Sequence, residues 1–420
     1  MKETNEQSSM CVCVCVWKNS IDCSDLHLNP SHRLLEFAKS RKGDKTLRVA
    51  SSDVPDPVVP AGYKAVLHDI KLARRGPDDS VYQKEEMIRK MIPRGTSVLE
   101  WKNTKTNDTW CSVVIYAHKK FTGGIGDEDE YQPQNNEVWR SYFIKDPDMA
   151  KRVVCMEKVN GEAAHIAGRY IDGNFYLIAG SKNVHMVIRE KSNIDLYKES
   201  RYEYAKIIAK TVWDTLASLD QQRQHLVRSL LHHTKCTFVG EILQPQNQHI
   251  VNLSYLSKPE ISFISMTPTF TGPDVNTLLV IPPDYFLDLC STLGLHTAAY
   301  TVVKDADVMV RKEEVSAEVM ARKETRKKRN TEGEVFYFLD EDENTIGLTK
   351  VKTTWYTVLR ALREKACYTF TTAKKKDGWT LETGICKTHK RFSEIQEWLK
   401  FSDDYLEKWK AQIEPKFLDS

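Results

Sequence analysis

No stretch of this chain approaches the roughly eighteen consecutive apolar residues that a membrane-spanning helix needs. Its first residues also lack the basic start and apolar run of a secretory leader. A membrane partner is not expected, and an intracellular protein of the cytoplasm or nucleus is. The 10 cysteines lack the paired spacing of a disulfide framework, which points to free thiols in a reducing compartment. Cys11, Cys13 and Cys15 alternate with valine, but a zinc tract needs wider gaps and a second ligand pair. A poorly ordered leader or a short strand is the expectation there. Net charge is nearly absent as well, at +3 from 61 basic and 58 acidic residues. A nucleic-acid partner must therefore be argued from local patches. Missing too is any run of alternating strands near the C-terminus, so no appended five-stranded barrel of the OB type is expected.

What is present suits a soluble globular protein: 420 residues, 41% hydrophobic and 28% charged. That length predicts one large domain with appendages, or two domains. Residues 1–45 read as a tail, 46–352 as the main domain and 353–420 as a small helical region. Val66 to Arg75 and Glu85 to Met91 look helical, and Pro93 to Glu100 leads into a strand followed by a strong one at Trp110 to Ala117. The acidic loop Asp127 to Glu130 reads as solvated surface. Tyr204, Ile208, Val212 and Leu216, widened by Ile207 and Trp213, form a helical core stripe within 199–233. Strands are expected at Cys236 to Leu243, Ile250 to Leu256 and Ile261 to Met266, then a helix at Asp284 to Leu293. Asp307 to Arg329 reads as a charged helix ending in the basic run 322–329, which suits a solvated face, a nuclear-import signal or an RNA contact. Thr354 to Lys365 and Arg391 to Trp409 are expected helices.

The chemistry gathers around Lys158. A lysine before a nearby glycine, here Gly161, is commonplace by itself, and a solvated strand-end lysine is the plain alternative. A lysine amine becomes a covalent nucleophile when desolvation or a cationic neighbour lowers its pKa. Downstream, Asp172-Gly173 between apolar runs is a strong hairpin signal. Such a hairpin brings Lys182 back to the same end of the sheet as Lys158. A second hairpin, Glu332 to Leu339 returning as Thr345 to Lys352, sets Glu332 beside Lys350 and Lys352. Two-residue periodicity puts both lysines on one face and Val351 on the other. A carboxylate beside two cations suits a metal-bound polyphosphate, with an ordinary cross-strand ion pair as the alternative.

In order, Lys158-x-x-Gly161, Phe238-Val239-Gly240-Glu241, Glu332-Gly333-Glu334-Val335 and Lys350-Val351-Lys352 resemble four motifs of the covalent nucleotidyltransferases. Arg94-Gly95, Lys120-Phe121, the Asp172-Gly173 turn and Lys182 make the resemblance most similar to the RNA ligase branch known from phage tRNA repair. It covers roughly residues 90 to 352, and Asn160 departs from it, standing where many relatives carry an acidic residue. The resemblance implies an α+β nucleotidyltransferase (ATP-grasp-like) fold of antiparallel sheets with flanking helices, plus a small C-terminal helical region. It implies an ATP-dependent RNA ligase that joins 5′-phosphate and 3′-hydroxyl ends through a lysyl-AMP intermediate, with Mg²⁺ (or Mn²⁺). A capping-type guanylyltransferase, a DNA ligase or a silent nucleotide- or RNA-binding relative are the alternatives. No end-healing kinase or phosphatase domain is evident, so a partner enzyme or already healed ends are implied. Carried over, Lys158 would be the nucleophile, Lys350 and Lys352 would neutralise the α-phosphate, and Glu332 would hold the metal. Glu241 would bind the ribose, Glu157 would lie against the base, and Arg94 and Lys182 would steady phosphates. Phe263 is the candidate for stacking on the base, with plain core as its other reading.

Overall fold

Three antiparallel sheets with flanking helices make up this α+β chain, in a computed structural model that describes residues 29–43, 45–73, 78–123, 138–272, 279–303, 330–371 and 380–399 and a few positions between 402 and 411. The cysteine–valine segment, the acidic loop at 127–130 and the basic run 322–329 lie outside the described residues.

The first sheet is a meander of β1 (Leu47–Asp53), β2 (Tyr63–Leu72), β3 (Thr96–Asn103) and β4 (Thr109–Tyr116). Helix α1 (Pro30–Ser40) covers it, started by Pro30 and by Asn29, whose side chain accepts from Ser31 N at 2.8 Å. Asn29 also donates to the Cys111 carbonyl at 3.0 Å, and Leu34, Leu35 and Ala38 are fully buried among Ile70, Val98 and Val113. Helix α1 thus lies within residues 1–45, the segment expected as a tail. Short helices α2 (Asp79–Lys84) and α3 (Glu86–Met91) lie on the same side. The segment expected as a helix from Val66 is instead β2. It is buried on both faces, with Ile70 in the cluster under α1 and Ala65 and Leu67 in a second cluster against the next sheet. A strand covered on both sides needs no polar–apolar alternation, and a short continuous apolar run cannot be told from a buried helix by periodicity.

The central sheet has five strands in the order β10-β9-β6-β7-β8: β6 (Glu162–Ile171), β7 (Asn174–Gly180), β8 (His185–Ile188), β9 (Thr237–Leu243) and β10 (Glu260–Thr267). Strands β6 and β7 close through Asp172 and Gly173, both at positive φ (47° and 76°), as the hairpin signal requires. Ala167, Tyr176, Ile178 and Val187 face the first sheet. The opposite face carries α4 (Glu203–Ala217) and α5 (Gln221–Thr234). On α4 the buried stripe is Ala205, Ile208, Ala209 and Val212, whereas Ile207 is exposed. Helix α6 (Pro283–Thr292) packs on β10 through Phe286. Residues 250–256 are not a strand. Side chains take the hydrogen bonds that a sheet would supply, Asn160 Oδ1 accepting from Ile250 N and Val251 N and Gln248 Oε1 from Leu253 N.

The third sheet runs β11-β5-β12-β13: β5 (Arg152–Glu157), β11 (Tyr300–Val303), β12 (Gly333–Leu339) and β13 (Thr345–Lys352). Val154, Met156, Val335, Tyr337 and Leu348 join the main core, while Val153, Cys155, Phe336 and Val351 form a small cluster on the reverse face. Helices α7 (Thr354–Thr371) and α8 (Leu381–Leu399) follow, with Tyr356, Val358, Ala361 and Phe392 buried. No helix among the described residues is long and apolar enough to cross a membrane.

Candidate active site

Strand β5 delivers Lys158. Its amide stays paired one residue past the strand, donating to the Gly333 carbonyl at 2.8 Å. Alternation from Val154 and Met156 turns its side chain toward the inner face of the third sheet. There Lys158 Nζ meets Glu332 Oε1 at 2.6 Å, the lysine side chain 22% and the glutamate 7% exposed. Gly333 pairs with Lys352 and Val335 with both Lys350 and Met156. Both lysines therefore stand on the face of Met156, nearly buried, and Val351 points away, as two-residue periodicity predicts.

The facing wall is the central sheet. Gly161 has no room for a side chain, because a Cβ there would lie 2.5 Å from the Ile242 carbonyl oxygen. It brings the segment after Lys158 against β9. Next to it Glu241 pairs in register with Ala163 and with Ser262. Among the described residues, Glu241 Oε2 and Ser262 Oγ are sealed from solvent with no hydrogen-bond partner. Burial foremost pushes the Glu241 carboxyl up to about 7, with Glu332 and Glu162 adding to the rise while Lys158 and Arg94 oppose it.

A third group comes from the first sheet, its helices and the turn between β7 and β8. Arg94 Nε lies 3.3 Å and Lys182 Nζ 2.5 Å from Asp78 Oδ2, and Lys120 Nζ lies 2.6 Å from Asp79. Burial would raise the Asp78 carboxyl, but the hydrogen bond and charge of Lys182, helped by Arg94 and Lys120, hold it below the usual range. Burial and the charge of Arg94 lower Lys182, against the pull of Asp78. Burial brings neighbouring Lys119 down to about 8. Arg94, Lys120 and Lys182 thus gather around Asp78 and Asp79 in this corner.

The predicted site residues thus separate. Lys158, Glu332, Lys350 and Lys352 share one wall and Glu241 belongs to the facing one. Arg94 and Lys182 share Asp78, so the second cation expected beside Lys158 is held by a different carboxylate. Glu157 is exposed and pairs with Glu334 on the reverse face, the face of Cys155 and Phe336; it does not lie with Lys158. Phe263 is 1% exposed and edge-on to Phe238 and Phe286, which places its ring in the core. A bulge follows it, between Phe263 and Ser265. Sequence reasoning missed Asp78, Asp79, Lys119 and the contacts of Asn160, none of which carries a local signal.

Among the described residues no group of three or more His, Cys, Asp or Glu side chains is placed to hold a metal ion. Both Glu332 oxygens are engaged, Oε1 by Lys158 and Oε2 by Asn160 at 2.7 Å. The donor set does not fit a resident metal held by protein ligands. It fits at most an ion that one carboxylate shares with phosphate oxygens.

The chain belongs to the family described as a domain of unknown function (DUF7920), whose profile matches residues 68–363. Among solved structures it is similar to an RNA ligase of Naegleria gruberi, a lysine-to-methionine mutant with AMP and Mn. That likeness has a TM-score of 0.33 at 9% identity and covers 74% of this chain and 97% of the other. At that score it defines neither the fold nor the chemistry of this chain. No curated protein matches the chain.

Proposed function

We propose that this chain is an ATP-dependent RNA ligase with a nucleotidyltransferase (ATP-grasp-like) core, joining 5′-phosphate and 3′-hydroxyl RNA ends through a lysyl-AMP on Lys158. The observation that carries the reading is convergence. Lys158, Glu241, Glu332, Lys350 and Lys352, scattered from 158 to 352, come to two facing walls in the order that the motif resemblance implies. The amine nitrogen of Lys158 would attack the α-phosphorus of ATP, an N–P bond forming as the P–O bond to pyrophosphate breaks. The proton that the attacking amine must shed has an acceptor in Glu332 Oε1, 2.6 Å away. Lys350 and Lys352, nearly buried on the same wall, would offset charge gathering on the α-phosphate. Glu241 brings a sealed carboxylate oxygen with no partner among the described residues, which a ribose hydroxyl would satisfy as donor. Mg²⁺ would enter with the triphosphate, held by phosphate oxygens and Glu332. The adenylate would then pass to an RNA 5′-phosphate, and a 3′-hydroxyl would displace AMP to seal the strand.

Intact mass after incubation with Mg²⁺ and ATP or GTP, beside Lys158→Ala, tests this reading. The expected result is a gain of one AMP, absent from the variant and discharged by 5′-phosphorylated RNA. A GMP adduct moves the chain to the capping reaction. No adduct on folded protein that was not already nucleotidylated leaves a binding relative.

A further inference from the structure

Asn160 is 6% exposed, and its carboxamide is used at both ends. Its Nδ2 donates to Glu332 Oε2 at 2.7 Å and lies 3.4 Å from the Tyr356 hydroxyl of α7. Its Oδ1 accepts from Ile250 N at 3.1 Å and Val251 N at 3.0 Å. Three parts of the chain distant in sequence therefore meet on one side chain two residues from Lys158. The other Glu332 oxygen is the one that meets Lys158, so a rotation of that carboxylate would break both contacts together. Aspartate has the same shape but, when ionised, only accepts hydrogen bonds. It could still hold the two backbone amides, yet it would set a second negative charge against Glu332. An amide, and not a carboxylate, satisfies this position.

We propose that Asn160 is a positioning residue for nucleotide transfer, fixing the Glu332 carboxylate against Lys158 and tying segment 250–251 and helix α7 to the same point. The inference rests on Lys158 being the nucleophile. Its action is on the geometry of the Lys158–Glu332 pair, so it governs the rate of the covalent step more than the binding of nucleotide.

The test compares wild type, Asn160→Asp and Asn160→Ala in two measurements: AMP-adduct formation against ATP concentration, and amide hydrogen exchange at Ile250 and Val251. For Asn160→Asp the maximal rate is expected to fall by roughly ten- to a hundredfold, as for other residues that orient a reacting group, with the KM for ATP changing by less than about threefold. Protection of Ile250 and Val251 is kept in that variant and lost in Asn160→Ala. A wild-type maximal rate in Asn160→Asp, or unchanged exchange in Asn160→Ala, overturns the proposal. Should Asn160→Asp not fold, its combination with Glu332→Gln exchanges donor and acceptor along the same hydrogen bond. Recovery of the fold then supports the assignment, and failure to recover overturns it. Wild-type protein that forms no adduct refutes the nucleotide-transfer reading itself and Asn160's part in it. Wild-type adduct with an unaffected Asn160→Asp refutes the positioning role and leaves the ligase reading standing.

Discussion

One face of the central sheet carries two polar clusters with opposite fates. Toward β8 it is covered by the first sheet, and the polar group centred on Asp69 there is paired. Asp69 Oδ1 meets Ser97 Oγ at 2.8 Å and His185 Nδ1 at 2.9 Å, Oδ2 meets Arg201 at 3.2 Å, and His185 Nε2 reaches His165 Nδ1 at 3.1 Å. Toward β9 and β10 the same face carries Glu241 and Ser262, each with a sealed oxygen that has no partner among the described residues. Burial is similar in kind, yet one cluster is internally satisfied and the other is not. A polar group buried with partners supports the fold, and one buried without them costs stability that a ligand can return. The first cluster is accordingly architecture, and the second is where a ligand has something to complete.

The largest expected effect tests the paired cluster. Asp69→Ala leaves Arg201 and His185 without their buried anion, and removing one partner of such a set costs about 3–5 kcal/mol. Urea denaturation measures it, and a loss below about 1 kcal/mol would make this cluster a bystander. Gly95 lies against His165 of the paired cluster. Its φ is +120°, and a Cβ would fall 2.2 Å from His165 Cε1, so Gly95→Ala should destabilise by roughly 1–3 kcal/mol. A melting point within a degree of wild type would show that His165 can move aside at no cost. The smallest effect has the opposite sign. The Glu241 carboxyl is raised to about 7 from 4.5, so between those values the folded state keeps a proton that the unfolded state has released. Stability from this group is full below about pH 4.5 and is lost as pH rises through 7. Glu241→Gln should therefore leave stability at pH 4.5 near wild type and raise it at pH 8 by about 1–2 kcal/mol, allowing for partial exposure. Paired denaturation curves at the two pH values check it, and a destabilised variant at pH 8 would place Glu241 with the paired cluster.

Much of the architecture was legible in local pattern. Asp172-Gly173 specifies its hairpin because positive φ at both positions suits few residues other than glycine, asparagine and aspartate. Alternation put Lys350 and Lys352 on one face and Val351 on the other, since a strand has no other way to place them. The same reasoning failed where burial is two-sided or side chains replace a ladder. Strand β2 lost its alternation between two covers and read as a helix. Ile250 and Val251 looked like strand residues, but their amides are held by Asn160. Phe263 sits beside Ser262 in sequence, yet consecutive strand residues face opposite ways, and its ring went to the core.

By itself the sequence determined the hairpins, the lysine pair on β13 and the order of the motifs, because these follow from two-residue periodicity and turn stereochemistry within a few positions. Tertiary structure decided what each charge meets. Lys158 faces Glu332, Lys182 and Arg94 share Asp78, Asn160 bridges three segments, and one Glu241 oxygen has no partner among the described residues. Those pairings depend on which distant loops arrive at the same few ångströms, and Coulomb energy and desolvation are set by that distance and burial.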